Sequence, residues 1–237
     1  MTKRVVTHRT VHSPKLRNSH TFAVVTDLHN GAYDDLLDTM ASADAILIAG
    51  DLLNRHRHEY QHAARFLHDA PQCAPTYYAL GNHEWKSAEK DEFMRLVAKS
   101  DVQVLDNEIV RLDDIALGGL SSRAKEEIDA SVVGRLAREE GFRLLLCHHP
   151  EWYGRYVRGC DIDLTLSGHA HGGQVQLFGR GLYAPGQGIL PRLTHGYYDG
   201  GRLLVSRGMT NSCGMPRWGN PCEMIMLRLD PGEEAYE

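Results

Sequence analysis

The run Ala45-Ile46-Leu47-Ile48-Ala49-Gly50-Asp51 constrains the fold more than any other stretch. Six small or apolar residues end in one carboxylate. That is the pattern of a strand buried on both faces, with its last residue leaving the core. Upstream, Thr21–Thr26 reads as a strand that runs into Asp27-Leu28-His29, and Tyr33–Ala43 carries Leu36, Leu37 and Met40 at helical spacing. Strand, helix, strand implies a parallel βαβ unit. Asp27 and Asp51 are therefore expected side by side at the carboxyl edge of a sheet, where α/β proteins collect their chemistry.

Three more predicted strands end in polar groups. Thr76–Leu80 leads into Gly81-Asn82-His83-Glu84, Phe142–Cys147 into His148-His149-Pro150, and Ile162–Leu166 into Ser167-Gly168-His169-Ala170-His171. Helices are expected over Arg55–Asp69, ended by Pro71 and Pro75, after a cap at Ser87, and over Ala124–Glu140. Val102–Leu105, Glu108–Leu112 and Ile115–Gly119 read as an antiparallel meander. Residues 1–20 read as an irregular or edge-strand lead-in. No repeat or linker breaks the chain, so one domain over 1–237 is expected, with its core at about 20–230.

Composition narrows the function. A net charge of -5 argues against a nucleic-acid partner. The start, with Lys3, Arg4, Arg9, Lys15 and Arg17 and no acid, implies a solvated terminus or at most a weak peripheral contact with a membrane surface. No apolar run has membrane-spanning length and no signal peptide is visible. Cys73, Cys147, Cys160, Cys213 and Cys222 are odd in number and contain no C-x-x-C pair, which points to free thiols and a cytoplasmic setting.

The strand-end residues share one chemistry. Imidazoles, carboxylates and an amide oxygen suit Mn²⁺, Fe²⁺ or Zn²⁺, with Mn²⁺ the first choice. Two such ions, ~3.5–4 Å apart, can share one carboxylate. In Asp27-x-His29 and His169-x-His171 the spacing puts both side chains on one side of an extended segment.

In this order, Asp27-x-His29, Gly50-Asp51, Gly81-Asn82-His83-Glu84, His148-x-Pro150 and Gly168-His169-x-His171 resemble the calcineurin-like metallophosphoesterase signature. Gly172-Gly173-Gln174-Val175 and Arg207-Gly208 resemble a bacterial subgroup that includes the YkuE and YaeI phosphodiesterases. The resemblance implies a four-layer α/β/β/α sandwich. It also implies a first metal on Asp27, His29 and His171, a second on Asn82, His148 and His169, and Asp51 bridging both. Hydrolysis of a phosphodiester or pyrophosphate would then proceed by attack of a hydroxide shared by the two ions. His83 would serve as leaving-group acid or oxyanion stabiliser, and Arg55, Arg207 and Arg217 would bind phosphate. The substrate would be a small-molecule or lipid-linked phosphoester. Asn54 stands where many relatives carry an Asp that orients the catalytic His. The alternatives are a protein or small-molecule phosphomonoesterase, a UDP-diacylglucosamine-type lipid pyrophosphatase and, outside catalysis, a metal-free partner-binding scaffold.

Overall fold

Residues 4–123, 128–211 and 216–237 are described by a computed structural model. Strands β1 (Arg4–Ser13), β2 (His20–Val25), β3 (Ala45–Ala49), β4 (Thr76–Ala79) and β5 (Val102–Val104) enter one sheet. Strands β6 (Ile109–Leu112), β7 (Ile115–Leu120), β8 (Phe142–Cys147) and β9 (Leu164–Ser167) enter a second. Next come two short hairpins, β10 (Gln176–Leu177) with β11 (Arg180–Gly181), and β12 (Tyr183–Ala184) with β13 (Gly188–Ile189). Strands β14 (Gly196–Tyr198) and β15 (Leu203–Val205) return to the second sheet, and β16 (Cys222–Pro231) and β17 (Ala235–Tyr236) to the first. The strand orders are β17-β1-β16-β2-β3-β4-β5 and β14-β15-β9-β8-β7-β6.

Alternation of side chains sorts each central strand between two cores. Phe22, Val24, Ala45, Leu47, Ala49 and Ala79 of the first sheet meet Ile115, Leu117, Phe142, Leu144, Leu146 and Leu166 of the second. The opposite faces of β2 and β3, with Ala23, Val25, Ile46 and Ile48, pack under α1 (Leu37–Met40), α2 (Gln61–Cys73) and α4 (Lys90–Val97), between which lies the short helix α3 (Asn82–Lys86). Ala116, Leu145 and Cys147 pack under α5 (Ser131–Leu136). Helix, sheet, sheet, helix is the expected four-layer sandwich. Each leucine, isoleucine or phenylalanine so buried contributes about 1.5–3 kcal/mol.

Several expectations are corrected. The lead-in is not irregular: β1 runs parallel to β16 through ten register pairs, and since β17 covers its other side only at Val11 and His12, most of it is the expected edge strand. Two basic residues of the lead-in form ion pairs, Arg4 with Asp35 and Lys15 with Asp163, while Arg17 is exposed. The meander is split. Strand β5 lies parallel to β4, and only β6 and β7 form a hairpin, in the other sheet. Three short alternating strands look alike in sequence whichever sheet receives them. The Tyr33–Ala43 helix shrinks to a 3-10 turn and α1, because Tyr33 is drawn out of helical backbone to stack on Phe66 and bond Asp69. Helix α2 starts six residues late and runs through Pro71, which lies close enough to its end that one lost backbone bond is tolerated. Ser87 does not cap α4; its hydroxyl accepts from Glu89 N ahead of the helix. The Ala124–Glu140 helix is reduced to α5, with residues 124–127 outside the described chain. Cys73, Cys147, Cys160 and Cys222 are free thiols, and Cys213 is not described. Among the described residues no helix is long and apolar enough to cross a membrane.

Candidate metal centre

Strands β2, β3 and β4 are mutually parallel, as are β7, β8 and β9, so their carboxyl ends gather the polar motifs along one rim. The loops after β2 and β3 stay paired beyond the sheet. Asp27 N donates to Gly50 O, His29 N to Asp51 O and Asn30 N to Leu52 O. Five of the motif residues take left-handed backbone: Asp27 (φ 53°), His29 (46°), Asp51 (59°), His169 (65°) and His171 (48°). Each such residue costs about 1–2 kcal/mol, and such positions cluster at functional sites. Close approach requires glycine at position 81, where a Cβ would stand 2.1 Å from Asp51 Oδ1.

Two clusters result. In one, His171 Nε2 lies 3.3 Å from His29 Nε2 and 3.5 Å from Asp27 Oδ1. In the other, His148 Nε2 lies 3.1 Å from Asp51 Oδ2, with His169 in the same group. His29 Nδ1 donates to Leu53 O at 3.0 Å and His148 Nδ1 to Ala49 O at 2.7 Å, so in the neutral tautomer each ring turns an Nε2 lone pair inward. Asp51 Oδ1 accepts His83 N–H at 2.9 Å, which leaves Oδ2 facing both clusters. Asn82 Oδ1 is buried without a hydrogen-bond partner, and His148 Nε2 and Asp51 Oδ2 are buried facing only each other. A divalent ion would complete all three, and the donor set is of the right chemistry. His171 differs. Arg217 Nη2 stands 3.0 Å from its Nδ1, and a guanidinium only donates, so His171 accepts there; ligation through Nε2 would require the proton to sit on Nδ1 and Arg217 to give up this contact.

The electrostatics carry the same demand for positive charge. Burial works against ionised Asp27 and Asp51, but the surrounding histidines outweigh it and hold both well below the usual carboxylate range. His148 is pushed up to about 10, since Asp51 overcomes the effect of burial. His29 is also raised, whereas burial pushes His171 down to about 4 and lowers His169 strongly. In the metal-free protein, protons on His29 and His148 thus stand where cationic charge would.

His83 Nδ1 accepts the backbone N–H of Arg55 at 3.0 Å, and its Nε2 lies 3.8 Å from Asp51 Oδ2. Burial pushes its pKa down to about 3, with His29, Arg55 and His148 acting in the same direction against Asp51. Asn54 was expected beside this ring, but its Oδ1 accepts from His56 N, and a backbone amide holds His83 instead. The Arg55 side chain reaches His56. Arg207 pairs with buried Glu223 at 2.7 Å, and Arg217 also donates to Arg207 O and Thr210 O. His149 faces Glu151 at 3.1 Å and stacks on Trp152.

Sequence reasoning missed Glu84. Its buried carboxylate accepts Gly81 N (2.7 Å), Leu53 N (2.9 Å) and Asp51 N (3.0 Å), tying the Asp51 loop to α3. The signal was the Gly81-x-x-Glu84 spacing, half of a capping box. Asn220, whose Nδ2 donates to His171 O and Gln174 O, had no local signature.

Three comparisons bear on this arrangement. An uncharacterized metallophosphoesterase of Campylobacter jejuni is 29% identical over 92% of this chain and 61% of that protein. One of Helicobacter pylori is 26% identical over 95% and 64%. A bovine transmembrane protein with a metallophosphoesterase domain is 27% identical over 68% and 42%. The chain thus spans less than two thirds of the length of these relatives. The solved structure of Haemophilus influenzae NAD nucleotidase overlaps 65% of this chain and 39% of that one at 16% identity, with a TM-score of 0.49, too loosely to carry an argument. The description of the calcineurin-like phosphoesterase family matches residues 20–173, more than half of the sequence and every strand-end motif but the last loops, and the chain belongs to that family.

Proposed function

We propose that the protein is a phosphoester hydrolase that holds two divalent metal ions and prefers phosphodiesters or pyrophosphates to phosphomonoesters. The observation that carries this reading is the gathering of three buried polar atoms, Asn82 Oδ1 without a hydrogen-bond partner and Asp51 Oδ2 and His148 Nε2 with only each other at 3.1 Å. Leaving one such group unsatisfied costs about 1–3 kcal/mol, and a scaffold has no reason to gather three. Asp27, His29 and His171 would hold one ion, and Asn82, His148 and His169 the other. Asp51 would serve both through Oδ2. Manganese is the ion of choice, with iron and zinc compatible with the same donors. When bound, such ions lower the pKa of water toward ~7 and neutralise phosphoryl oxygens.

The chain itself supplies shape and hydrogen bonds. Nδ1 of His83 is taken by an N–H, so the ring offers Nε2–H as a neutral donor to a phosphoryl or leaving oxygen. The preference for diesters rests on charge. A monoester dianion asks for several cationic donors, but Arg55 reaches His56, Arg207 is paired with Glu223, and Arg217 is held by carbonyls and His171. A diester carries less charge and asks for fewer. The test combines elemental analysis with two aryl esters. The protein should carry about two ions per chain and Asp51→Asn should lose both. With Mn²⁺, kcat/KM should be higher for bis(p-nitrophenyl) phosphate than for p-nitrophenyl phosphate. Full metal retention in Asp51→Asn would overturn the shared ligand, and a clear preference for the monoester would overturn the substrate class.

A further inference from the structure

Six large hydrophobic side chains are exposed among the described residues, and all of them fall between 177 and 218: Leu177, Phe178, Tyr183, Ile189, Leu190 and Trp218. Leu177 and Phe178 stand at the turn of the first small hairpin, Tyr183, Ile189 and Leu190 at the open end of the second, and Trp218 in a later loop. Phe178, at 105% relative exposure, shares the first turn with Gly179, both in left-handed backbone, so its ring projects with nothing packed on it. Tyr183 and Ile189 pair across the second hairpin, and Leu190 N donates to Leu182 O at its foot. Trp218 O accepts Gln176 N, which sets Trp218 beside the first hairpin. Arg180, Leu190 and Arg192 line one cleft of about 500 Å³, which makes the two hairpins a single surface.

Charge separates this surface from the rest of a chain whose net charge is -5. Between Asp163 and Glu223 the one acidic residue is Asp199; of the five arginines there, Arg207 is paired with Glu223 and Arg217 is buried, which leaves Arg180, Arg192 and Arg202, with Glu151 lining a neighbouring cleft next to Leu190 and Arg192. Asp199 is occupied by Tyr153 Oη at 2.6 Å and Arg158 at 3.5 Å. Arg180 and Arg192 are exposed beside the apolar side chains.

We infer that these exposed side chains dock the protein on an anionic phospholipid membrane. Protein partners draw their affinity from side chains seated in packed, desolvated pockets. Single protruding apolar side chains ringed by arginine and aromatic residues suit a fluid interface, which needs no matching shape. Exposed apolar area on this scale marks an interaction site. The surface also lies next to the metal centre. Leu182 N donates to Gly173 O, two residues past His171, so docking brings the centre to the level of the lipid headgroups.

Co-sedimentation of the full chain with vesicles tests this without any hydrolysis, so its outcome is independent of the proposed reaction. Vesicles of phosphatidylcholine with phosphatidylglycerol should bind the protein, phosphatidylcholine alone should bind it far less, and salt should weaken the binding. Phe178→Asp with Leu190→Asp should lower affinity about tenfold or more. Arg180→Ala and Arg192→Ala should each lower it roughly fivefold, on anionic vesicles only. Brominated lipid should quench tryptophan emission in the parent and not in Trp218→Phe. Circular dichroism and metal content matching the parent establish that each variant is folded. No sedimentation with anionic vesicles, or undiminished binding by the Phe178→Asp, Leu190→Asp protein, overturns the inference. So does self-association through these side chains in sedimentation equilibrium, which would assign the surface to a second copy.

Discussion

His83 illustrates how one backbone amide selects a side chain's chemistry. An imidazolium needs a proton on both nitrogens, and a proton on Nδ1 would set two N–H groups against each other at the Arg55 contact. The ring would therefore donate from Nε2 as a neutral group, which in the proposed reaction makes it an oxyanion-hole donor rather than a proton donor. His83→Ala should keep its metal and lose about 10²–10³ in kcat, by the same factor for nitrophenyl and alkyl esters. Steady-state kinetics on both substrates checks this, and a loss that shrinks with the better leaving group would restore the leaving-group acid. The metal-competent residues themselves were legible, because each follows a strand at a short, fixed offset. The orientation of His83 was not, since the group that sets it is main chain and has no letter in the sequence. The carbonyls under His29 and His148 were invisible for the same reason.

At the scale of elements, α3 is only five residues long, yet it anchors the rim. Glu84 gathers amides from three points of the chain, two of them in the Asp51 loop. Glu84→Ala would strand three buried N–H groups and should cost about 3 kcal/mol or more in urea unfolding. A loss below about 1 kcal/mol would mean that water replaces the carboxylate. The buried strands Ala45–Ala49 and Phe142–Cys147 could be read because a continuous apolar run has few alternatives. Short elements could not. Val102–Val104 reaches the first sheet because α4 carries the chain back across it, and nothing within those three residues records that crossover. Tyr33 likewise left its helix for a ring contact with Phe66, thirty-three positions away. The glycines after His171 do not all serve one purpose. Gly173 brings two backbones together, since a Cβ there would stand 2.4 Å from Gly181 Cα. Farther along, Tyr197 packs on Tyr236 and the Tyr198 hydroxyl accepts from Thr194 N.

For the whole molecule, the rim is the least comfortable part of an otherwise well-packed sandwich. Five left-handed non-glycine residues and three under-satisfied polar atoms sit there together. An ion that binds only the folded state adds about 4 kcal/mol at a thousandfold excess over its dissociation constant. For a chain of this size that should raise the melting temperature by about 8 °C or more. Calorimetry of the chelated protein with and without added Mn²⁺ measures it, and an unchanged melting temperature would show that the site does not load. One feature of the first sheet reaches beyond the finished fold. Strand β1 has no neighbours but β16 and β17, so Arg4–Ser13 must wait for Cys222 onward before it can pair. At roughly 5–20 residues per second, the ribosome leaves that strand exposed for about 10–40 s. During synthesis, then, the nascent chain carries an unpaired strand, in which Arg4 and Arg9 are charges of the kind that discourage pairing with other chains.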